Sequence, residues 1–327
     1  MRFLVRRLGF LLIALWAALT VNFFIPRLMP GNPAEAILAQ FRGRLNPSSL
    51  KAIEVALGIG KHQNLLASYF EYLRNTLTGN FGVSTSYFPV PVTSVISRAL
   101  PWSLGLVGIS TVLGFLFGTA LGAIAAWRRG GWLDNVLPPS FIVVSAFPYF
   151  WVGLLSIWLF SLTLNWFPTL GGYTETVTPT LTWGFVGDVL WHAVLPAFTI
   201  LLTSIGGWIL TMRNNMITVV AEDYVKMARA KGLRPRRILW QYAGRNALLP
   251  NLTGFAMSLG FVISGAILVE FVFNYPGVGF LLLQAVSAED YPLMQALFLL
   301  ITVAVLVAIF LSDVATALLD PRTRSTR

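Results

Sequence analysis

The sequence predicts an all-α, polytopic integral membrane protein with six transmembrane helices. Two observations carry this. Hydrophobic residues make up 56% of the 327 and charged residues only 11%, a composition outside that of soluble globular domains. The apolar residues are also gathered into six runs, at about 8–26, 101–127, 136–164, 191–212, 251–273 and 293–318, each close to or longer than the roughly 20 residues a helix needs to cross a bilayer. One transmembrane domain over 1–327 accommodates them, with a small extracytoplasmic insert at 30–98 and a cytoplasmic loop at 213–250.

Composition also excludes several chemistries. There are no cysteines, so disulfides, thiolate metal sites and cysteine nucleophiles are ruled out. His62 and His192 lie far apart in different contexts, and no metal site is expected from them. No phosphate-cradling glycine loop with lysine, and no serine or carboxylate constellation like that of a hydrolase, can be found. The net charge of +10 follows membrane topology in its distribution, so nucleic acid is not an expected partner and the lipid bilayer is.

Arg2, Arg6 and Arg7 precede a first apolar run broken only by Thr20 and Asn22. Its length, the lack of a small-x-small site and the following Pro26, Pro30 and Pro33 predict a retained span, not a cleaved signal. In the polar region after it, 50–58 and 65–77 read as short amphipathic helices, and Gly79 to Ser84 as a glycine turn. The second span carries Gly114, Gly118 and Gly122 at intervals of four. That is a ridge without side chains, suited to close helix packing within the chain or to dimerisation. The third run exceeds one crossing and contains Pro148, which predicts a kink, bordering a translocation path or simply tolerated. Trp166, Tyr173, Trp183 and Trp191 then suit an aromatic belt at a water interface, with a carbohydrate-stacking platform as the alternative. Gly254, Ser258 and Gly265 give the fifth span a close-packing face.

Basic residues set the orientation. Sixteen of the 23 fall in segments that are cytoplasmic if the N-terminus is inside, and the other seven lie between Arg27 and Arg98. The two short outer loops, 165–190 and 275–291, have none. Long segments translocate largely regardless of charge, so both termini and the loop at 213–250 are expected in the cytosol of a cell-membrane protein.

Residues 222–250 are the hydrophilic centre of the chain. Val220, Ala221, Tyr224, Val225 and Ala228 recur at helical spacing, with Glu222, Asp223, Lys226 and Arg229 opposite and Glu222 four residues before Lys226, which predicts a short amphipathic helix. Gly232 suits a left-handed C-cap, and Pro235 the first turn of a second helix whose stripe is Ile238, Leu239, Tyr242, Ala243 and Asn246. Arg236 and Arg237 stand where the helix dipole disfavours cations by about 0.3–1 kcal/mol, so they serve a partner or a lipid headgroup. Taken alone, such a loop could also do no more than hold topology.

Several segments in order resemble one family. Asp223-Tyr224-Val225, Ala228-Arg229-Ala230-Lys231-Gly232-Leu233 and Arg245-Asn246-Ala247-Leu248-Leu249-Pro250 look like the coupling loop of ATP-binding-cassette importer permeases, of the dipeptide, oligopeptide and nickel branch. Pro30-Gly31-Asn32-Pro33-Ala34, Gly79-Asn80-Phe81-Gly82-Val83-Ser84, Val269 to Gly279, Asp290-Tyr291-Pro292 and Leu319-Asp320-Pro321-Arg322 resemble further stretches of that branch. Lys226 stands where the general motif has glutamate, which leaves Glu222 without support as an essential residue.

The resemblance implies a type I importer permease working by alternating access. Its partners would be a second homologous permease subunit, two cytosolic ATP-binding subunits and an extracytoplasmic solute-binding protein. ATP and magnesium would be held by the ATPases and no cofactor by this chain, which is therefore not an enzyme. Asp223, Tyr224, Ala228, Arg229, Ala230, Lys231 and Gly232 would meet the ATPase. Glu270, with Pro276 and Gly277, would form a gate or a helix-locking contact, snorkelling of Glu270 to the interface being the alternative. Short peptides are the expected cargo, with oligosaccharides or nickel chelates as alternatives. Outside the family, an ion-coupled secondary transporter would need ionisable residues at mid-membrane, and the spans have few.

Overall fold

The computed structural model describes residues 2–28, 64–180, 182–264 and 266–319. Outside them lie the Pro30 to Ala34 segment, the helix expected over 50–58, His62, Gly265 and residues 320–322 of the terminal ending. The regular structure among the described residues is helical, apart from one isolated bridge between Val83 and Pro91.

In chain order the helices are α1 (Arg2–Leu28), α2 (Leu65–Leu77), α3 (Val92–Trp127), α4 (Trp132–Ser145), α5 (Tyr149–Thr163), α6 (Trp183–Val220), α7 (Asp223–Ala230), α8 (Pro235–Ser264), α9 (Ile267–Val272), α10 (Val278–Ser287) and α11 (Tyr291–Leu319). By length and apolar content α1, α3, α6, α8 and α11 can each cross a membrane, and α4 with α5 supplies a sixth crossing if the two count as one span.

Two spans depart from expectation. In place of a single kinked helix over 136–164, α4 and α5 meet at 96° across Ala146 to Pro148. Pro148 has an extended ψ of 128°; its missing N–H and its clash with the preceding residue stop one helix, and it opens the next. The helix of the fifth span does not begin after Pro250 either. Pro250 sits inside α8, and the second helix of the insert runs into the membrane segment as one rod of 30 residues. From Ala266 the chain forms α9 and then α10, the latter where an outer loop was expected.

Small residues decide how the long helices meet. A Cβ on Gly118 would lie 2.5 Å from Trp208 Cβ and 3.0 Å from the Ile205 carbonyl, and one on Gly122 would collide with the Ile209 carbonyl. The ridge on α3 is therefore filled by α6 of the same chain, which leaves no surface there for dimerisation. Gly206 of α6 in turn lies against the Phe141 backbone of α4. At the far side α1 is tied to α11: Asn22 and Gln295 exchange side-chain-to-carbonyl hydrogen bonds of 2.9 and 3.0 Å, and Arg7 pairs with Asp313 at 2.6 Å. The Asn22 side-chain nitrogen and backbone carbonyl thus have a partner inside the bundle, while its buried Oδ1 has none among the described residues.

Two buried clusters lie away from the insert. One joins Val92, Val95 and Ala99 of α3 to α10 and to the first turns of α11. The other joins Leu106, Ile157 and Leu195 to Val269, Phe273 and Tyr275. A third, at the insert end, belongs to the site described next.

Candidate functional site

The turn of the insert forms a Schellman cap. Gly232 has φ +69°, its N–H donates to the Arg229 carbonyl at 2.9 Å, and the Leu233 N–H donates to the Ala228 carbonyl at 3.3 Å. These bonds satisfy carbonyls that the end of α7 would otherwise leave open. Pro235 then occupies the first turn of α8, where no N–H is needed.

The insert packs firmly on the bundle. Val225 and Ala228 of α7 are buried with Ile238, Leu239, Ala243 and Ala247 of α8, Ala123 and Ala126 of α3, and Met212 and Met216 of α6. The Tyr224 hydroxyl accepts from the Asn246 side chain at 2.7 Å, and Asn215 of α6 donates to the Ala247 carbonyl at 3.3 Å. Arg229 lies over the Trp127 ring at 5.2 Å. Buried Asp134 of α4 pairs with Arg213 at 2.5 Å and accepts from the Gly130 N–H at 3.0 Å. This joins the loop after α3 to the end of α6.

Of the residues named for partner contact, Asp223, Tyr224, Arg229, Ala230, Lys231 and Gly232 are exposed. Ala228 is not. It is 3% exposed and faces Ile238 and Leu239 inside the protein, so it seats α7 on its own bundle and reaches no partner. The pairing differs as well: Lys226 bonds Asp223 at 2.9 Å instead of Glu222, in a solvated pair of small energetic weight. The periodicity reading carried the stripe back to Val220, but α6 ends there and α7 starts afresh at Asp223, which resets the faces. Met227, absent from that reading, is 59% exposed between Tyr224 and Ala230; an apolar side chain at i+3 from Tyr224, on the side away from Val225, was the available signal. Between α3 and the first turns of α8 lies a cavity of about 790 Å3, lined by Phe115, Thr119, Met212, Tyr242, Arg245 and Leu248 among others.

At the other end of the bundle Glu270 is fully buried, so it does not snorkel. Its carboxylate accepts from the Ser103 hydroxyl of α3 at 2.7 Å and from the N–H groups of Gly279 and Phe280 at 2.7 and 3.2 Å. Ser103 in turn accepts from the Val278 N–H at 2.7 Å. Glu270 and Ser103 together thus satisfy three of the open donors at the start of α10, where the helix dipole favours an anion. A Cβ on Gly277 would collide with that carboxylate, and Pro276 packs against Gly172 of the α5–α6 loop. In the same loop Tyr173 stacks on Trp102 at 5.9 Å, so that ring is already covered, whereas Trp166 and Trp183 face outward. Nearby, buried Asp290 accepts from the Ser84 hydroxyl and from the Ser86 N–H. Two segments distant in sequence, the glycine turn and Asp290-Tyr291-Pro292, therefore meet. No group of three or more potential metal ligands occurs among the described residues.

Comparison with known proteins bears on these features. Residues 118–325 match the family described as binding-protein-dependent transport system inner membrane component. Over 325 residues, 99% of both chains, the sequence is 31% identical to the dipeptide transport system permease protein of Lactococcus lactis subsp. cremoris. It is 31% identical to the oligopeptide transport system permease protein of Bacillus subtilis, over 92% of each chain. It is 32% identical to the glutathione transport system permease protein of Escherichia coli K12, over 99% of each.

Proposed function

The chain belongs to the family of binding-protein-dependent transport system inner membrane components, and from that premise we propose that it is the membrane-spanning permease subunit of an ATP-driven importer of short peptides. The three relatives named above are dipeptide, oligopeptide and glutathione permeases, all with peptide-like cargo, and this favours peptides over oligosaccharides or nickel chelates. The permease pairs with a second, homologous subunit, two cytosolic ATPases and a solute-binding protein on the opposite side. ATP and magnesium are held by the ATPases. Both termini and the insert face the cytosol.

One observation supports the coupling role above others: α7 presents an exposed face while its buried face is fixed to the ends of α3, α6 and α8 through one apolar cluster. A partner that moves α7 moves the ends of three spans with it. Tyr224, Met227, Ala230 and Lys231 form the surface an ATPase groove would grip, with Met227 and Ala230 supplying apolar area and Lys231 and Arg229 charge.

The test is co-purification of the tagged chain with its ATPase from native membranes. Met227→Asp with Lys231→Glu alters only exposed positions, so the bundle should stay folded and elute as the wild type does while the ATPase is lost. Retention of the ATPase at wild-type yield with that variant would exclude α7 as the contact. Uptake of labelled dipeptide should fall in parallel.

A further inference from the structure

Helix α2 (Leu65–Leu77) divides into three sectors. At about 100° per residue, Tyr69, Tyr72 and Thr76 share one, and it faces α1: the Tyr69 hydroxyl bonds the Thr20 hydroxyl at 2.8 Å, the Tyr72 hydroxyl accepts from Asn22 at 3.2 Å, and both rings pack on Phe23. Ser68, Glu71, Arg74 and Asn75 make a polar sector. Between them Leu66, Phe70, Leu73 and Leu77 fall at intervals of four, three and four. Three of these are open to the surroundings, Leu66 at 63%, Phe70 at 66% and Leu77 at 85%.

The depth of α2 identifies what covers that stripe. The apolar part of α1 ends at Ile25, so Asn22 and Thr20 lie about 5 and 8 Å inside it at 1.5 Å per residue. Helices that lie in a membrane interface sink about 5–10 Å into the headgroup and acyl boundary. The docking bonds therefore hold α2 at the level of the acyl boundary, beside Val21 and Phe24 of α1, which are themselves exposed large apolar side chains on a helix of spanning length. An apolar stripe at the depth of exposed apolar side chains on a helix of spanning length, backed by a polar sector, fits a bilayer leaflet.

We propose that α2 is a membrane-surface anchor whose Leu66–Phe70–Leu73–Leu77 stripe is embedded in the leaflet at the C-terminal end of α1. Tyr69 and Tyr72 hold it to the first span, and Glu71 and Arg74 face water.

The chain has no cysteines, so single spin labels can be placed without background, with the other subunits supplied in cysteine-free form. The assembled transporter in phospholipid nanodiscs would carry one label through Leu66→Cys, Phe70→Cys, Leu77→Cys, Glu71→Cys or Arg74→Cys, with Val21→Cys as the lipid reference. All are exposed positions, and each variant is used only if it elutes as the intact assembly. Accessibility to oxygen and to a water-soluble nickel chelate is read at each. The proposal expects labels at 66, 70 and 77 to match the reference, with an oxygen-to-nickel ratio several-fold above those at 71 and 74. Nickel access at 66, 70 and 77 equal to that at 71 would place the stripe in water and overturn it. Low access to both reagents would mean a protein partner covers the stripe, and would overturn it equally.

Discussion

Glu270 is a carboxylate buried completely within the chain. Three donors converge on it, two from the first turn of α10 and one from Ser103 of α3. Glu270→Ala leaves those donors buried and unmet, so the apparent melting temperature of the detergent-solubilised protein should drop by an amount equivalent to about 1–3 kcal/mol; tryptophan fluorescence against temperature reads it, and an unchanged melt would refute the cap. Gly232 is a second residue whose role is conformational. Any Cβ there has open space, so the cost of Gly232→Val comes from φ +69° alone. Gly232→Asn, which tolerates that region, should restore most of the peptide uptake that Gly232→Val loses. Both positions were legible in the sequence, one as a charge in an apolar run and the other as a glycine between two amphipathic stripes. The partners of Glu270 were not, because Ser103 is 167 residues away and contact at that separation leaves no local pattern.

At the scale of elements, the sequence announces helices more clearly than their ends. Hydrophobic periodicity located α2 and the turn between α7 and α8, since caps and glycines are local signals. It missed the break at Ala146 to Pro148, because a proline in an apolar run predicts a bend but not its angle. It also cut α8 at Pro250, where neighbouring helices hold the rod together despite the lost N–H. Ala228 illustrates the cost of reading faces across such a break. It is buried against Ile238 and Leu239, so Ala228→Glu should lower the yield of folded protein in gel filtration, whereas Met227→Asp should leave it unchanged. Gly118→Leu should fail similarly, since its Cβ would press on the α6 backbone at 3.0 Å and overpacking of this kind costs about 1–3 kcal/mol or more.

For the whole molecule, the insert and the bundle behave as one body where they touch. Asp134, in the first turn of α4 and bonded to Gly130 of the loop before it, pairs with Arg213 and braces α4 against the end of α6, and breaking a pair with one buried partner costs more than its presence contributes. Arg213→Met should therefore reduce uptake and stability together, and the double change Arg213→Met with Asp134→Leu should recover the stability; a melt of the two variants decides. The rod α8 carries the last consequence. It has 30 residues, about 45 Å at 1.5 Å each, and begins in the insert and ends at Ser264, six residues before Glu270. We propose that it works as a lever, its short grip among the charges of the insert and its tip six residues before the buried Glu270. A tilt of about 5° at the grip swings the tip by about 4 Å over that length, more than the length of any hydrogen bond holding Glu270.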